Sequence, residues 1–249
     1  MKKLFVLFIV LFSNLCLVAC KDKINSIKIN EESFPAIIDI NSLDNGNSDI
    51  CNSIEKQARA DNIPIIRKEM GSLLKVLLRL KQPKRILEVG TAVGYSSILM
   101  SENMPKGCTI TTIEKYEKRI PVAKSNFELA GVTDKITLIE GDAIEEMQKL
   151  EGEYDFIFMD AAKGQYINFL PEVMRLLSVG GLLISDNVLQ EGDIVESRYA
   201  VVRRNRTIHT RMRDYLYTLT HMEELETSIV PIGDGITLSV RVKWYTSVV

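Results

Sequence analysis

The chain has 249 residues, 46% hydrophobic and 26% charged, a size and balance suited to a single α/β domain with a full core. Its formal net charge of −2 excludes a global attraction to nucleic acid or to anionic membranes, so any such binding must come from a local patch. The four cysteines (Cys16, Cys20, Cys51 and Cys108) show no C-x-x-C spacing, which points away from zinc and from a disulfide framework.

In chain order, Met1-Lys2-Lys3 and the apolar run from Leu4 to Ala19 have the basic and hydrophobic regions of a secretory signal, too short for a comfortable transmembrane helix. The run ends Leu17-Val18-Ala19-Cys20, which resembles the lipobox of bacterial lipoproteins; the alternative is a hydrophobic extension. Residues 1–20 are read as a leader, 21–48 as a polar linker and 49–249 as the folded domain. A short helix is expected from Asp49 to Ala60. A second follows Pro64, with Met70, Leu73, Leu74, Leu77 and Leu80 at helical spacing, and Pro83 stops it.

From Lys84 the pattern alternates between strand-like and helical segments. Strands are expected at Ile86 to Val89, Cys108 to Ile113, Ile136 to Ile139, Tyr154 to Met159 and Gly181 to Ser185. One intervening helix carries Ile120, Ala123, Phe127 and Ala130 and is capped by Gly131. Another, from Lys163 to Leu177, carries Tyr166, Phe169, Leu170, Val173 and Leu177. An arginine-rich stretch with Arg198, Arg203, Arg204, Arg206, Arg211 and Arg213 then overlaps a helix whose apolar face is Ile208, Met212, Tyr215, Leu216 and Leu219. His209 and His221 are expected at its surface. Two terminal strands, Glu226 to Val230 and Ile236 to Val242, join through Pro231 to Gly235. The pattern predicts a Rossmann-like doubly wound α/β sheet, mainly parallel, with a C-terminal antiparallel pair and helices on both faces.

In such a sheet ligands bind beyond the C-terminal strand ends, and here five strands end in an acid: Glu88, Glu114, Asp142, Asp160 and Asp186. Gly90 and Gly94 would let the turn after the first strand approach a nucleotide-like ligand. Gly90-x-Ala92-x-x-Tyr95 lacks the third small residue of a dinucleotide fingerprint, and an acid near the first turn repels a pyrophosphate. A phosphate-free adenosine derivative, S-adenosylmethionine, fits better, with Glu114 on its ribose hydroxyls and Glu88 with the Gly90 turn toward its amino-acid end. Asp160, Asp186 and Asn187 offer hard oxygen ligands without His or Cys, which selects Mg²⁺ or a similar ion. Taken singly, Asp160 is equally a helix cap and Asp186-Asn187 a turn. Lys163 is a candidate base or a holder of a substrate oxyanion; the alternative is a solvated lysine, since a metal-bound hydroxyl can itself lose its proton near neutral pH.

Together Glu88 to Ser96, Asp160-Ala161-Ala162-Lys163 and Asp186-Asn187 resemble the motifs of the cation-dependent O-methyltransferase family that includes catechol and caffeoyl-CoA O-methyltransferases. The resemblance implies that Ile66, Glu88, Gly90, Ser96, Glu114, Asp142, Ala143 and Asp160 contact S-adenosylmethionine. It further implies that Asp160, Asp186 and Asn187 hold the ion and that Lys163, with Asp160, carries the chemistry. The tail (Asp186 to Gly192, Arg206 to Asp214, Glu226 to Gly235) resembles that family's bacterial tRNA 5-hydroxyuridine methyltransferases. That implies tRNA as acceptor, with Arg203, Arg204, Arg206 and Arg211 as the basic patch on its phosphates. The alternatives are a small catechol-like phenol, or a membrane-anchored binding lipoprotein without turnover. A homodimer and a cytoplasmic location are expected, with membrane contact only if the leader is used or Cys20 carries a lipid.

Overall fold

A computed structural model describes residues 46–242; the leader, almost all of the linker and Lys243 onward lie outside the described residues. Two helices open the domain, α1 (Asp49–Ala60), capped by Ser48 through the Cys51 amide, and α2 (Lys68–Lys81). The chain then alternates β1 (Arg85–Val89), α3 (Tyr95–Asn103), β2 (Thr109–Glu114), α4 (Ile120–Leu129), β3 (Ile136–Glu140), α5 (Ala143–Lys149), β4 (Tyr154–Met159), α6 (Tyr166–Leu176) and β5 (Leu177–Ser185). It closes with α7 (Arg206–His221), β6 (Leu225–Val230) and β7 (Ile236–Arg241).

The seven strands form one sheet in the order β3-β2-β1-β4-β5-β7-β6. β1 to β5 pair in parallel, and β7 inserts antiparallel between β5 and β6. Strand alternation divides the core between the two faces. Ile86, Ile110, Phe156, Phe158 and Ile184 pack against α1 to α4, while Leu87, Val89, Ile157, Met159 and Leu183 pack against α5, α6 and α7. The expected architecture is the observed one.

Some local expectations shift. On α2 the fully buried side chains are Met70, Leu74 and Leu78, at a spacing of four, and Leu80 is 76% exposed. Leu177 belongs to β5 rather than to the helix, because it pairs with Tyr154 across a register irregularity and so starts the strand early. His209 is buried, not at the surface: its Nε2 lies 3.2 Å from the Glu196 carbonyl, because α7 turns that face onto the loop before it. His221 is exposed as expected.

Candidate active site

The strand ends step down around one cavity of about 650 Å³. Backbone bonds fix the steps: Gly90 N–H donates to Ile113 O, Gly141 N–H to Glu114 O, Asp160 N–H to Val89 O and Asp186 N–H to Met159 O. Because each strand hands its last amide to its neighbour, the following side chains project into one space. Gly90, Glu114, Asp142, Ala143, Asp160, Lys163 and Asn187 line the wall, joined by Ile65, Arg67 and Arg119. Ile66, Glu88, Ser96 and Asp186 are buried behind it.

The glycines answer to the protein itself. Gly90 has φ +103°, and a Cβ there would lie 2.1 Å from the Asp160 carbonyl oxygen. Gly94 packs its backbone against the Phe127 ring, 2.5 Å from where a Cβ would sit. The turn after β1 is therefore pressed against β4 and α4, and only glycine fits.

On the β2 and β3 side, Glu114 accepts backbone N–H bonds from Ala92 (2.8 Å), Lys115 (3.0 Å) and Tyr116 (2.8 Å). Those donors fix the carboxylate at the wall. Asp142 caps α5 through the Ile144 amide at 3.0 Å and pairs with Lys115 at 3.3 Å. Glu88 lies beneath this wall, fully buried, its carboxyl receiving Ser96 Oγ at 2.5 Å, Ser97 Oγ and Thr112 Oγ1 at 2.6 Å. Burial raises its pKa above the ordinary glutamate value, and the three hydroxyls only partly offset that.

On the β4 and β5 side, half-buried Asp160 and buried Asp186 are neighbours. Desolvation raises both, and repulsion from Glu88 on Asp160 and from Asp160 on Asp186 adds to it; Lys163 pulls both down. Asn187, at φ +59°, turns its amide to within 3.5 Å of Asp160 Oδ1. Asp160 caps no helix: the chain passes through a 3-10 turn, Lys163–Gln165, before α6 begins. Lys163 Nζ stands in that turn at the wall, in an ion pair with Asp234 Oδ2 at 3.2 Å.

Asp234 carried no signal in the sequence beyond its Gly-Asp-Gly turn, since its partner is 71 residues away. Tyr166 has the spacing of a core residue, and its hydroxyl also donates to the Met159 and Asp186 carbonyls, 3.1 Å from each, which ties the ends of β4 and β5 together.

None of the arginines of the tail, Arg198 to Arg213, lines the cavity. Arg203 and Arg204 are exposed in a 3-10 turn. Arg206 folds back onto the Val201 and Tyr199 carbonyls, and Arg211 donates to Gly164 O at 3.2 Å, beside Lys163.

A mainly parallel sheet with this strand order and with acids at successive strand ends defines a Rossmann-like domain of the methyltransferase class. The chain belongs to the O-methyltransferase family, whose sequence profile matches residues 49–242. It is 33% identical over 195 residues to a caffeoyl-CoA O-methyltransferase of Eucalyptus gunnii, covering 73% of this chain and 76% of that one. A catechol O-methyltransferase of Niastella koreensis is 36% identical over 130 residues, 51% of this chain and 59% of its own. Among solved structures, one from Staphylococcus aureus is 33% identical with a TM-score of 0.73, covering 78% of this chain and 93% of that one. An SAH-bound methyltransferase of Podospora anserina gives 27% and 0.74, covering 81% and 92%.

Proposed function

We propose that this protein transfers the methyl group of S-adenosylmethionine to a hydroxyl of an acceptor that chelates a divalent cation, Mg²⁺ or a similar ion, held by Asp160, Asp186 and Asn187. The observation that carries the reading is the pair of half-buried Asp160 and buried Asp186 at adjacent strand ends, with Asp160, Lys163 and Asn187 at the wall of one cavity. Two carboxylates whose ionised forms repel each other, with an amide and no His or Cys, make an oxygen-only donor set that suits a hard cation. The Asn187 amide needs only to turn over to present its oxygen.

A cation there would lower the pKa of the acceptor hydroxyl and fix the direction of its oxygen. Glu114, held by three backbone amides, keeps a lone pair on Oε2 for a ribose hydroxyl. Gly90, Asp142 and Ala143 wall the same end, and Ile65 closes its edge with Ile66 behind it. Lys163 stands where it can hold the acceptor oxyanion or take the hydroxyl proton. Positioning then supplies much of the rate, as the methyl passes from sulfonium to oxygen and S-adenosylhomocysteine leaves.

The relatives' names favour a small catechol-like phenol as acceptor. A second reading, 5-hydroxyuridine at the tRNA wobble position giving 5-methoxyuridine, draws on the resemblance of the tail and on exposed Arg203, Arg204 and Arg211. A 5-hydroxyuracil presents its hydroxyl beside the 4-carbonyl, so it can chelate as a catechol does. The test is incubation with labelled S-adenosylmethionine and Mg²⁺, with catechol in one arm and tRNA carrying 5-hydroxyuridine in the other. Transfer in either arm that is lost in EDTA supports the reaction; transfer undiminished in EDTA sinks the metal role. R203E/R204E separates the acceptors: activity on tRNA should fall about tenfold, since phosphate contacts dominate such binding, and activity on catechol should not change.

We infer in addition a cytoplasmic location, because S-adenosylmethionine and the acceptors are cytoplasmic, and a homodimer, as an expectation from the sequence alone. Light scattering tests the dimer, and mass analysis of Cys20 tests the lipid-anchored alternative. Among the described residues no helix is long and apolar enough to cross a membrane.

A further inference from the structure

The turn between β6 and β7 reaches across to the exit of β5. Its backbone carbonyls at Asp234 and Gly235 accept the Leu189 and Val188 amides, both at 2.9 Å. The Asp234 side chain, 5% exposed, divides its two oxygens: Oδ1 accepts the Glu191 amide, and Oδ2 faces Lys163 Nζ at 3.2 Å. The segment it holds is backbone-strained, with Asn187, Gln190 and Glu191 at φ +59°, +51° and +56°. Non-glycine residues persist in that region only where surrounding contacts over-determine them. Gly235 fits the same clamp, since a Cβ there would fall 2.1 Å from Leu189 Cγ.

One carboxylate thus joins the two pieces of the site that lie on separate loops. We propose that Asp234 is a positioning residue: it fixes Lys163 Nζ at the cavity wall and locks the loop that carries Asn187 in its left-handed path. The inference rests on the methyl-transfer reading above. Asp234 does not itself line the cavity, so it acts on the reaction through Lys163 and Asn187. A lysine on four rotatable bonds would otherwise swing among several solvated positions, and the ion pair selects one.

The experiment uses the full chain and compares wild type with D234N, D234E, K163M and K163M/D234N. D234N keeps an acceptor for the Glu191 amide and removes the charge facing Lys163. Methyl transfer to catechol with Mg²⁺ should lose at least tenfold in kcat, with KM for S-adenosylmethionine within twofold. D234E should recover part of that loss. In the K163M background, D234N should change kcat by less than twofold, because the group it positions is gone. A second readout needs no turnover: trace acylation followed by mass spectrometry, with exposed Lys68 as the internal standard. Lys163 should react at least threefold faster in D234N than in wild type, as its amine is released from the pair. Unchanged Lys163 reactivity, or an equal kcat loss in both backgrounds, overturns the proposal. If wild type methylates neither acceptor, the functional reading fails while the acylation arm still decides whether Asp234 holds Lys163. Should D234N fold poorly by thermal melt, D234E decides by both readouts.

Discussion

The side of the cavity formed by β1, β2 and β3 is walled by satisfied turns, whereas the side formed by β4 and β5 is walled by neighbouring carboxylates. On the first side Glu114 has three backbone donors and Asp142 caps a helix, so each acid is stabilised where it stands. On the second, Asp160 and Asp186 have each other as near neighbours, with one Asn187 contact at 3.5 Å and the Asn187 amide on Asp186 Oδ1 at 2.7 Å. A satisfied wall suits a neutral sugar and base. An under-compensated one suits the cation of the proposed function, and charge left in that state near a lysine is where chemistry is expected. On the proposed function, cofactor binding falls to the first side and methyl transfer to the second, although both lie on one sheet.

The largest expected effect tests that separation. D160N should lower methyl transfer about 10³-fold, in the range found when a group stabilising transition-state charge is removed. Isothermal titration should find S-adenosylmethionine affinity within threefold of wild type. A parallel collapse of cofactor binding would break the comparison.

Gly90 is the place where the two sides touch. G90A drives a methyl group into the Asp160 carbonyl and puts alanine at φ +103°. The cost should be about 3 kcal/mol, which at this size lowers Tm by about 6–12 °C. This substitution is expected to injure both sides at once, and an unchanged melt would show that the turn is free to move.

E114A should act on one side alone. On the proposed function Glu114 takes the ribose, and its loss costs about 1.5–3 kcal/mol, so Kd for S-adenosylmethionine should rise about 10- to 150-fold. At saturating cofactor, kcat should stay within about threefold of wild type.

The smallest effect is a dependence on pH. Asp160 and Asp186 have raised pKa values in the fold, so the protonated forms favour the folded state. That contribution is complete below the unfolded aspartate value of about 4 and is lost as pH rises through the folded values. A divalent cation must displace those protons at low pH but relieves the repulsion at high pH. The rise in Tm on adding Mg²⁺ should therefore be larger at pH 8 than at pH 5, by about 2 °C, and flat in D160N. E88Q should leave the Mg²⁺ increment in place while reducing the metal-free loss of stability with rising pH, since Glu88 is raised by burial in the same sense.

Much of this could be read along the chain, because the signals are local. A strand buried on both faces reads as an apolar run, and an acid at its end marks the step into a loop. From that alone came the Rossmann-like class, the terminal antiparallel pair and the positions Glu114, Asp160, Asp186 and Asn187. The arginine stretch was equally visible, but not the fact that Arg206 bonds its own backbone, which follows from the turn before α7.

Sequence by itself determined the order of elements and the residue types at the strand ends, since periodicity and chain breaks are properties of neighbours. Tertiary structure alone decided which of those residues face the cavity. Glu88 lies one residue before the end of β1, not at its end, and the pleat points it at Ser96, Ser97 and Thr112 beneath the wall. His209 looks polar on its helix and is buried by a loop. Asp234 becomes the partner of Lys163 only because β7 inserts beside β5 and brings its turn to the far end of the site. Pairings across 71 residues leave no period in the chain, so only the folded sheet reveals them.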